Sequence, residues 1–451
     1  NLSSLLLVLA YRQNEVSEAH PLARLVKRPA ADRANITHIQ LAPLDWMQTS
    51  RMVADTLRVE PENVASLSEI LYRESGGNPF FLKQLLMLIH DNRLLYFDTS
   101  GGSWQWKIKE IQNLNLGNDV QHLFLKKLQN IPKETLEILK LASCIGNSFN
   151  LQTLAEALGM TAEAAVLNLI PAVHEGLVLP AANQKESSEY RFLHDKVQQA
   201  VYSMIEEKEK KEMHLVLGRL LLRKAKDGKS LNEDILSIMD HFNRSLDLVH
   251  DPDERLHLAG YNLLAGRKAK STAAYDSALQ YFRYGSALLP DRCWEADYKL
   301  SYDLYLELAQ AEYLSGNEKL AEKLFDTVIQ KAATELERAG IYSIKILLYA
   351  SSGKYDEAVN TGILALGRLG MKIPAHPAKA DYIKEMITYI GNMRNKKIED
   401  LVNLPELTDP VQKKIAELLS RLSSVTMSTH PDLYSYIIMK TGNHATSHGN
   451  S

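Results

Sequence analysis

Ser271–Phe282 reads STAAYDSALQYF, and two later stretches echo it: LSGNEKLAEKLF at Leu314–Phe325 and SSGKYDEAVNTG at Ser351–Gly362. In all three a turn-forming step is followed by Tyr or Leu and then by a small residue, at Ala278, Ala321 and Ala358. From position 278 to 321 is 43 residues, and from 321 to 358 is 37. A period of this size marks stacked supersecondary units, and an alanine at a fixed place lets two antiparallel helices approach closely. The flanking sequence has helical apolar spacing throughout, so residues 207–451 read as a helical array. The pattern breaks near PAHPAKADY, Pro374–Tyr382, and the closing KTGNHATSHGNS is polar and reads as a frayed end.

The remaining totals set bounds. A length of 451 residues suggests about two to four domains. Hydrophobic residues make up 45% and charged residues 24%, as in an ordinary globular protein. The net charge of −3 gives no global reason to expect nucleic acid or an anionic surface as partner. Two cysteines, Cys144 and Cys293, lie far apart; they form no disulfide framework or zinc motif and suit a reducing cytoplasm. No apolar run approaches the roughly 20 residues of a membrane span.

Upstream of the array the pattern changes three times. Residues 1–60 carry two strand-like runs, SLLLVLAYR at Ser4–Arg12 and ITHIQL at Ile36–Leu41, then a helix with Asp45 at its N-cap. They read as the C-terminal piece of an α/β core, so the chain looks like a fragment of something longer. Residues 61–128 read as helical apart from LLYFDTSGGSWQWKI, whose central glycines signal a hairpin. Residues 129–206 give three helices (133–144, 151–158, 162–175), two short strands in GLVLP and EYRFLH, and a last helix from Asp195 to about Ile205. Three helices followed by a β-wing is a winged-helix order.

Candidate sites follow from ESGGNPFFLKQLL, Glu74–Leu86, where a Gly pair, Asn and Pro precede an apolar helix. Glycine-rich turns before helices often cradle phosphates. This one lacks the Lys and Ser/Thr of a phosphate-binding loop. Gly228-Lys229-Ser230 has those residues, but position 223 is Arg where the motif needs Gly, and a Leu-rich helix precedes it. Kinase, metalloprotease and nucleophile-elbow motifs do not occur. Duplex binding through the wing module is disfavoured, because Asn150–Asn183 has no Lys or Arg to meet a phosphate backbone. The module reads instead as an interdomain packing unit.

Three weaker features recur in a telling order: Ala10-Tyr11-Arg12 at a strand end, Gly77-Asn78-Pro79 at a helix start, and Leu193-His194-Asp195 where the wing passes into a helix. In that order they resemble the STAND class of regulatory AAA-type ATPases, with tetratricopeptide-like repeats following. Segments such as GGNPFFLKQLL, LKLASCIGNSFNLQTLAEALG and LAGRKAKSTAAYDSALQYFRYGSALLP are similar to large bacterial signalling proteins. Those join a Ser/Thr kinase, an AAA-type ATPase, helical repeats, a GAF domain and a sensor histidine kinase. The similarity runs from Leu5 to about Pro374.

The resemblance implies a mainly α fold in four parts. These are an α/β P-loop NTPase remnant (1–60), a helical lid (61–128), a winged helix (129–206) and tetratricopeptide-like repeats (207–451). It implies ATP or ADP with Mg as cofactor. Arg12 would sense the terminal phosphate, Gly77 and Pro79 would seat the adenine, and His194 would reach the phosphates. Leu193 stands where the family has Met. The phosphate- and metal-binding motifs would lie upstream of Asn1, and both kinase domains lie outside this chain. The fragment itself is therefore expected to be inactive, cytoplasmic, without membrane span or nucleic-acid contact, with a ligand or protein on its repeats and possible self-assembly. An ATP-dependent transcription activator and a nucleotide-free interaction scaffold are the alternatives.

Overall fold

The computed structural model describes residues 39–113, 127–180, 188–228, 231–394 and 404–449. Two compact units emerge, one of residues 1–229 with 244–248, the other of 230–243 with 249–451. Arg12 and the expected strand at Ser4–Arg12 lie outside the described residues. The second expected strand is described only at Ile39–Leu41, which joins no ladder among the described residues, and Ile39 and Leu41 are exposed. Alternating apolar residues make a strand only when a neighbouring strand takes their backbone groups.

In the first unit, α1 (Trp46–Leu57) begins at Asp45 as expected. Asp45 Oδ1 accepts from Gln48 N–H at 2.7 Å, and Gln48 Oε1 accepts from Asp45 N–H at 3.0 Å, a reciprocal capping box. A 3₁₀ turn (Pro61–Val64), α2 (Ala65–Ser75) and α3 (Pro79–Asp91) follow. The buried stripe of α3 is Leu82, Leu85, Leu86 and Ile89, and it closes a core with Val53, Leu67 and Leu71. Full burial of each such side chain contributes about 2 kcal/mol. The glycine-turn hairpin forms as read, with β1 (Leu95–Asp98) antiparallel to β2 (Ser103–Trp106), and α4 (Ile108–Asn113) comes next.

A second core gathers around α5 (Lys133–Ile145), α6 (Leu151–Leu158), α7 (Ala162–His174) and α8 (Asp195–Ser203). These helices fall within a residue or two of the sequence reading. Its sheet has one strand more than expected: β3 (Ser148–Asn150) joins β4 (Val178–Pro180) and β5 (Glu189–Phe192) in the order β3-β5-β4, all antiparallel. Three residues are too few to show a period, so β3 exists only because β5 lies beside it. Cys144 is buried here, and burial pushes its thiol up to about 12, as expected of an inert structural cysteine. The helix α9 (Glu207–Gly228) runs straight into the rejected Gly228-Lys229-Ser230 motif.

The second unit opens with α10 (Leu231–Asn243) and continues as antiparallel helix pairs. These are α11 (Pro252–Ser271) with α12 (Tyr275–Leu288), α14 (Tyr298–Leu314) with α15 (Glu318–Lys331), and α16 (Glu335–Ser351) with α17 (Tyr355–Arg368). Ala278, Ala321 and Ala358 sit on α12, α15 and α17, and all three are buried. A short helix, α13 (Cys293–Ala296), is inserted ahead of α14 and accounts for the longer first period. Across α12 and α14, Arg283 grips the buried Glu312 through two bonds of 2.7 and 2.9 Å, and Asn317 adds a third at 2.7 Å. Among the described residues no single helix is long and apolar enough to cross a membrane.

The array ends differently from the sequence reading. After α18 (Lys379–Met393) come α19 (Pro410–Thr429) and α20 (Pro431–His448). The supposedly frayed tail is the last part of α20, with Asn443, His444 and Thr446 buried. Polarity suggested fraying, but Asn443 donates to the Glu385 carboxylate and carbonyl, both at 2.9 Å, so its amide is satisfied inside the protein. The helices α19 and α20 form the next hairpin against α16 and α17, and α18 passes over to lie on α20.

Two outcomes are expected. The turns before α12, α15 and α17 place Ala273, Gly316 and Gly353 at equivalent positions, with φ of 61°, 84° and 74°. Ala273 alone bears a Cβ in this left-handed region, so Ala273→Gly should stabilise the protein by about 0.5–1 kcal/mol in urea unfolding. Arg283 holds the Glu312 carboxyl below the usual carboxylate range against the opposing effect of burial. The stability from Glu312 is therefore complete above about pH 4.3 and lost as pH falls through the lower folded value. Glu312→Gln should flatten part of the acid limb of a stability–pH profile.

Candidate functional site

The Gly-Gly-Asn-Pro stretch joins α2 to α3 by four distinct devices. Gly76 takes φ 57° and closes α2, its N–H bonding Tyr72 O at 2.9 Å. Gly77 follows at φ 74° and is buried. Its N–H donates to Ser75 Oγ at 3.2 Å, and its carbonyl accepts from Leu44 N–H at 2.8 Å. A Cβ on Gly77 would stand 2.0 Å from the Leu44 carbonyl oxygen. This closeness ties the segment ahead of α1 to the turn. Asn78 caps α3, its Oδ1 accepting from Phe80 N–H at 3.0 Å and Phe81 N–H at 3.4 Å. Pro79 sits at the first helical position, where a missing N–H costs nothing, and its ring is exposed.

His194 is placed by the sheet of the second core. Phe192 N–H bonds Asn147 O at 2.8 Å and Leu193 N–H bonds Leu177 O at 2.9 Å, so the chain is held up to the residue before the histidine. His194 then caps α8: its Nδ1 accepts from Lys196 N–H at 3.1 Å. A ring whose Nδ1 accepts carries its proton, when neutral, on Nε2. Gln198 Nε2 donates to Ser143 O at 2.7 Å and fixes α8 against α5.

These two helix starts meet. The Phe80 ring stacks on the His194 imidazole at 4.4 Å between centroids and 23° between planes. Phe81 lies 5.9 Å from the same imidazole. Phe80 also packs against the core built by α5–α8, although it belongs to α3. Of the four expected site residues, His194 meets Phe80, which directly follows Pro79 at the start of α3; Gly77 contacts Leu44 and Ser75 instead, and Arg12 falls outside the described residues. Phe80 was missed. A signal existed: Phe80 lies off the Leu82–Leu85–Leu86–Ile89 stripe and so is not explained by the core of its own helix.

The capping changes what the site offers. Asn78 occupies the first amides of α3, so that helix start presents an apolar ring rather than a phosphate cradle. His194 likewise takes Lys196 N–H through its Nδ1. Among the described residues no group of three or more His, Cys, Asp or Glu could hold a metal ion. The outer face of α7, where a duplex-reading helix would carry cations, instead exposes Glu163, Val166, Leu167, Ile170 and His174.

No family model matches the chain. It is 26% identical over 461 residues to "Hybrid signal transduction histidine kinase G" of Dictyostelium discoideum, covering 89% of this chain and 13% of that protein. It is 23% identical over 418 residues to "Peroxide stress-activated histidine kinase mak3" of Schizosaccharomyces pombe, covering 89% of this chain and 17% of that one. The chain therefore spans less than a fifth of the length of these curated relatives. Among solved structures, a STAND protein with a tetratricopeptide repeat sensor from Pyrococcus horikoshii aligns at 14% identity and a TM-score of 0.35, over 94% of this chain and 57% of that one. The chain is thus distantly similar to histidine-kinase signalling proteins and has a mainly α-helical, repeat-like fold with small sheets.

The turn geometry makes a graded prediction. A Cβ on Gly76 would meet nothing within 4 Å, so Gly76→Ala should cost only the left-handed backbone penalty of about 1–2 kcal/mol. Gly77→Ala adds the collision with Leu44 and should cost about 3 kcal/mol or more. Thermal unfolding of both variants beside the parent checks the order.

Proposed function

We propose that this chain is the regulatory segment of a STAND-type ATPase within a multidomain signalling kinase. In this reading residues 1–60 complete an NTPase core, 61–128 form its lid, 129–206 form a winged helix, and 207–451 form a tetratricopeptide-like sensor. The observation that carries it is the Phe80–His194 stack, which joins the Gly77-Asn78-Pro79 turn to the Leu193-His194-Asp195 helix start. The likeness of nearly the whole chain to two proteins named as histidine kinases supports the signalling context.

The residues suit an adenine nucleotide. The exposed Pro79 ring is a rigid apolar plate for the base, and Gly77 lets the turn lie close against the segment leading from the core. His194 directs one N–H donor toward phosphate, at the positive end of α8. Arg12, as a bidentate cation, reads the terminal phosphate from the core side. When bound, ATP or ADP with Mg supplies the charge these groups sense, with the metal and phosphate loop held by residues upstream. Because the groups come from separate modules, nucleotide state biases their arrangement, as an allosteric switch requires. The repeats take the stimulus as a ligand or partner protein, and self-assembly accompanies the nucleotide-bound form in the cytoplasm. Kinase output belongs to other parts of the parent.

The test uses the full-length parent protein and a fluorescent ADP analogue. His194→Ala should weaken ADP binding about 10–100-fold, the value of one charge-assisted hydrogen bond. Phe80→Ala should weaken it less, by releasing the ring that orients His194. ADP retention equal to wild type in the His194 variant would overturn the role given to that residue.

A further inference from the structure

The helix α18 is built inside out. Its one buried residue is a carboxylate, Glu385, while Ile383, Met386, Ile387 and Ile390 are 60%, 50%, 65% and 62% exposed. The docked face is polar: Glu385 accepts from Lys440 Nζ at 2.6 Å and Asn443 Nδ2 at 2.9 Å, and Asn392 donates to Asn443 and Ser447, each at 3.3 Å. Tyr382 crosses Tyr436 edge-on at 5.9 Å and donates to the Asp432 carbonyl. This network fixes α18 on α20 and directs the aliphatic stripe to solvent. A surface helix of a repeat array ordinarily turns a polar face outward.

The exposed positions are spaced i, i+3, i+4 and i+7, which is the seam for one helix. Three cations frame it. Lys379 lies one turn before Ile383, Lys384 lies alongside, and Arg394 lies one turn after Ile390, all exposed. The two acids of α18 are already engaged, Asp381 at the helix start with Ala378 N–H at 2.8 Å, and Glu385 with α20. From this we infer that α18 is a docking site for an amphipathic helix of a partner protein, with aliphatic side chains along one stripe and carboxylates flanking it. A second copy of the chain is disfavoured, since it would set these cations against their own kind. A lipid surface is disfavoured too, because the stripe has none of the Trp or Phe that anchor interfacial helices.

The test uses the whole 451-residue chain and two synthetic helical peptides of about 20 residues. Both carry Leu at i, i+3, i+4 and i+7; one has Glu at the flanking positions and the other Lys. Fluorescence anisotropy should give at least tenfold tighter binding of the Glu peptide, weakened by salt. Ile387→Glu and, independently, Lys384→Glu should each reduce that binding about tenfold or more while leaving the circular dichroism spectrum unchanged. Equal binding of the two peptides, or binding insensitive to both substitutions, overturns the inference. So does co-sedimentation with phosphatidylserine vesicles in place of peptide binding, or a dimer that Ile387→Glu dissolves in the absence of peptide binding.

Discussion

Both units depend on backbones that come closer than ordinary side chains permit. In the array small residues, Ala278, Ala321 and Ala358, are buried at the same place in three helices, and Gly266 and Gly362 leave no room for a Cβ beside Phe282 and Leu422. In the first unit the small residue is Gly77, whose missing Cβ leaves room for the Leu44 carbonyl. Interiors are packed like organic crystals, so one extra carbon at such a point forces the elements apart. Where the small residue stands therefore decides which helices can be neighbours, and the larger side chains fill what remains.

Around that constraint the candidate site is organised by aromatic contact and by capping. Phe80 leaves the stripe of its own helix and joins the core of the adjoining helices, bringing its ring onto His194. Two helix N-termini, each an anion site in principle, are blocked by their own caps, Asn78 and His194. The α3 start therefore presents the Pro79 ring, and the α8 start the capped His194 imidazole. That is a narrower chemistry than a glycine-rich turn suggests.

Polar groups carry unusual weight at the far end of the array. Glu385, Lys440, Asn443 and Asn392 hold α18 in place, where other helices of the unit rely on apolar stripes. A satisfied buried network of this sort fixes one register, since any slip would leave a carboxylate unpaired. The consequence is an aliphatic face kept rigidly in view of solvent.

The sequence by itself determined the local elements. The alanine period gave the hairpins, Asp45 gave the start of α1, the paired glycines gave β1 and β2, and the order of helices and strands in 129–206 was readable to within a residue or two. The turn at Gly77, Pro79 at the first position of α3 and His194 at the start of α8 were legible as local geometry. Each of these signals is local, resting on a period, a cap or a turn residue. The tertiary structure alone decided what depended on distant partners. Strand β3 needs β5 beside it, whereas Ile39–Leu41 forms no strand among the described residues. The polar tail is ordered because Glu385 meets Asn443, and α18 lies out of sequence order on α20. Phe80 finds His194 for the same reason. A side chain's burial, and so its role, is set by whichever surface reaches it.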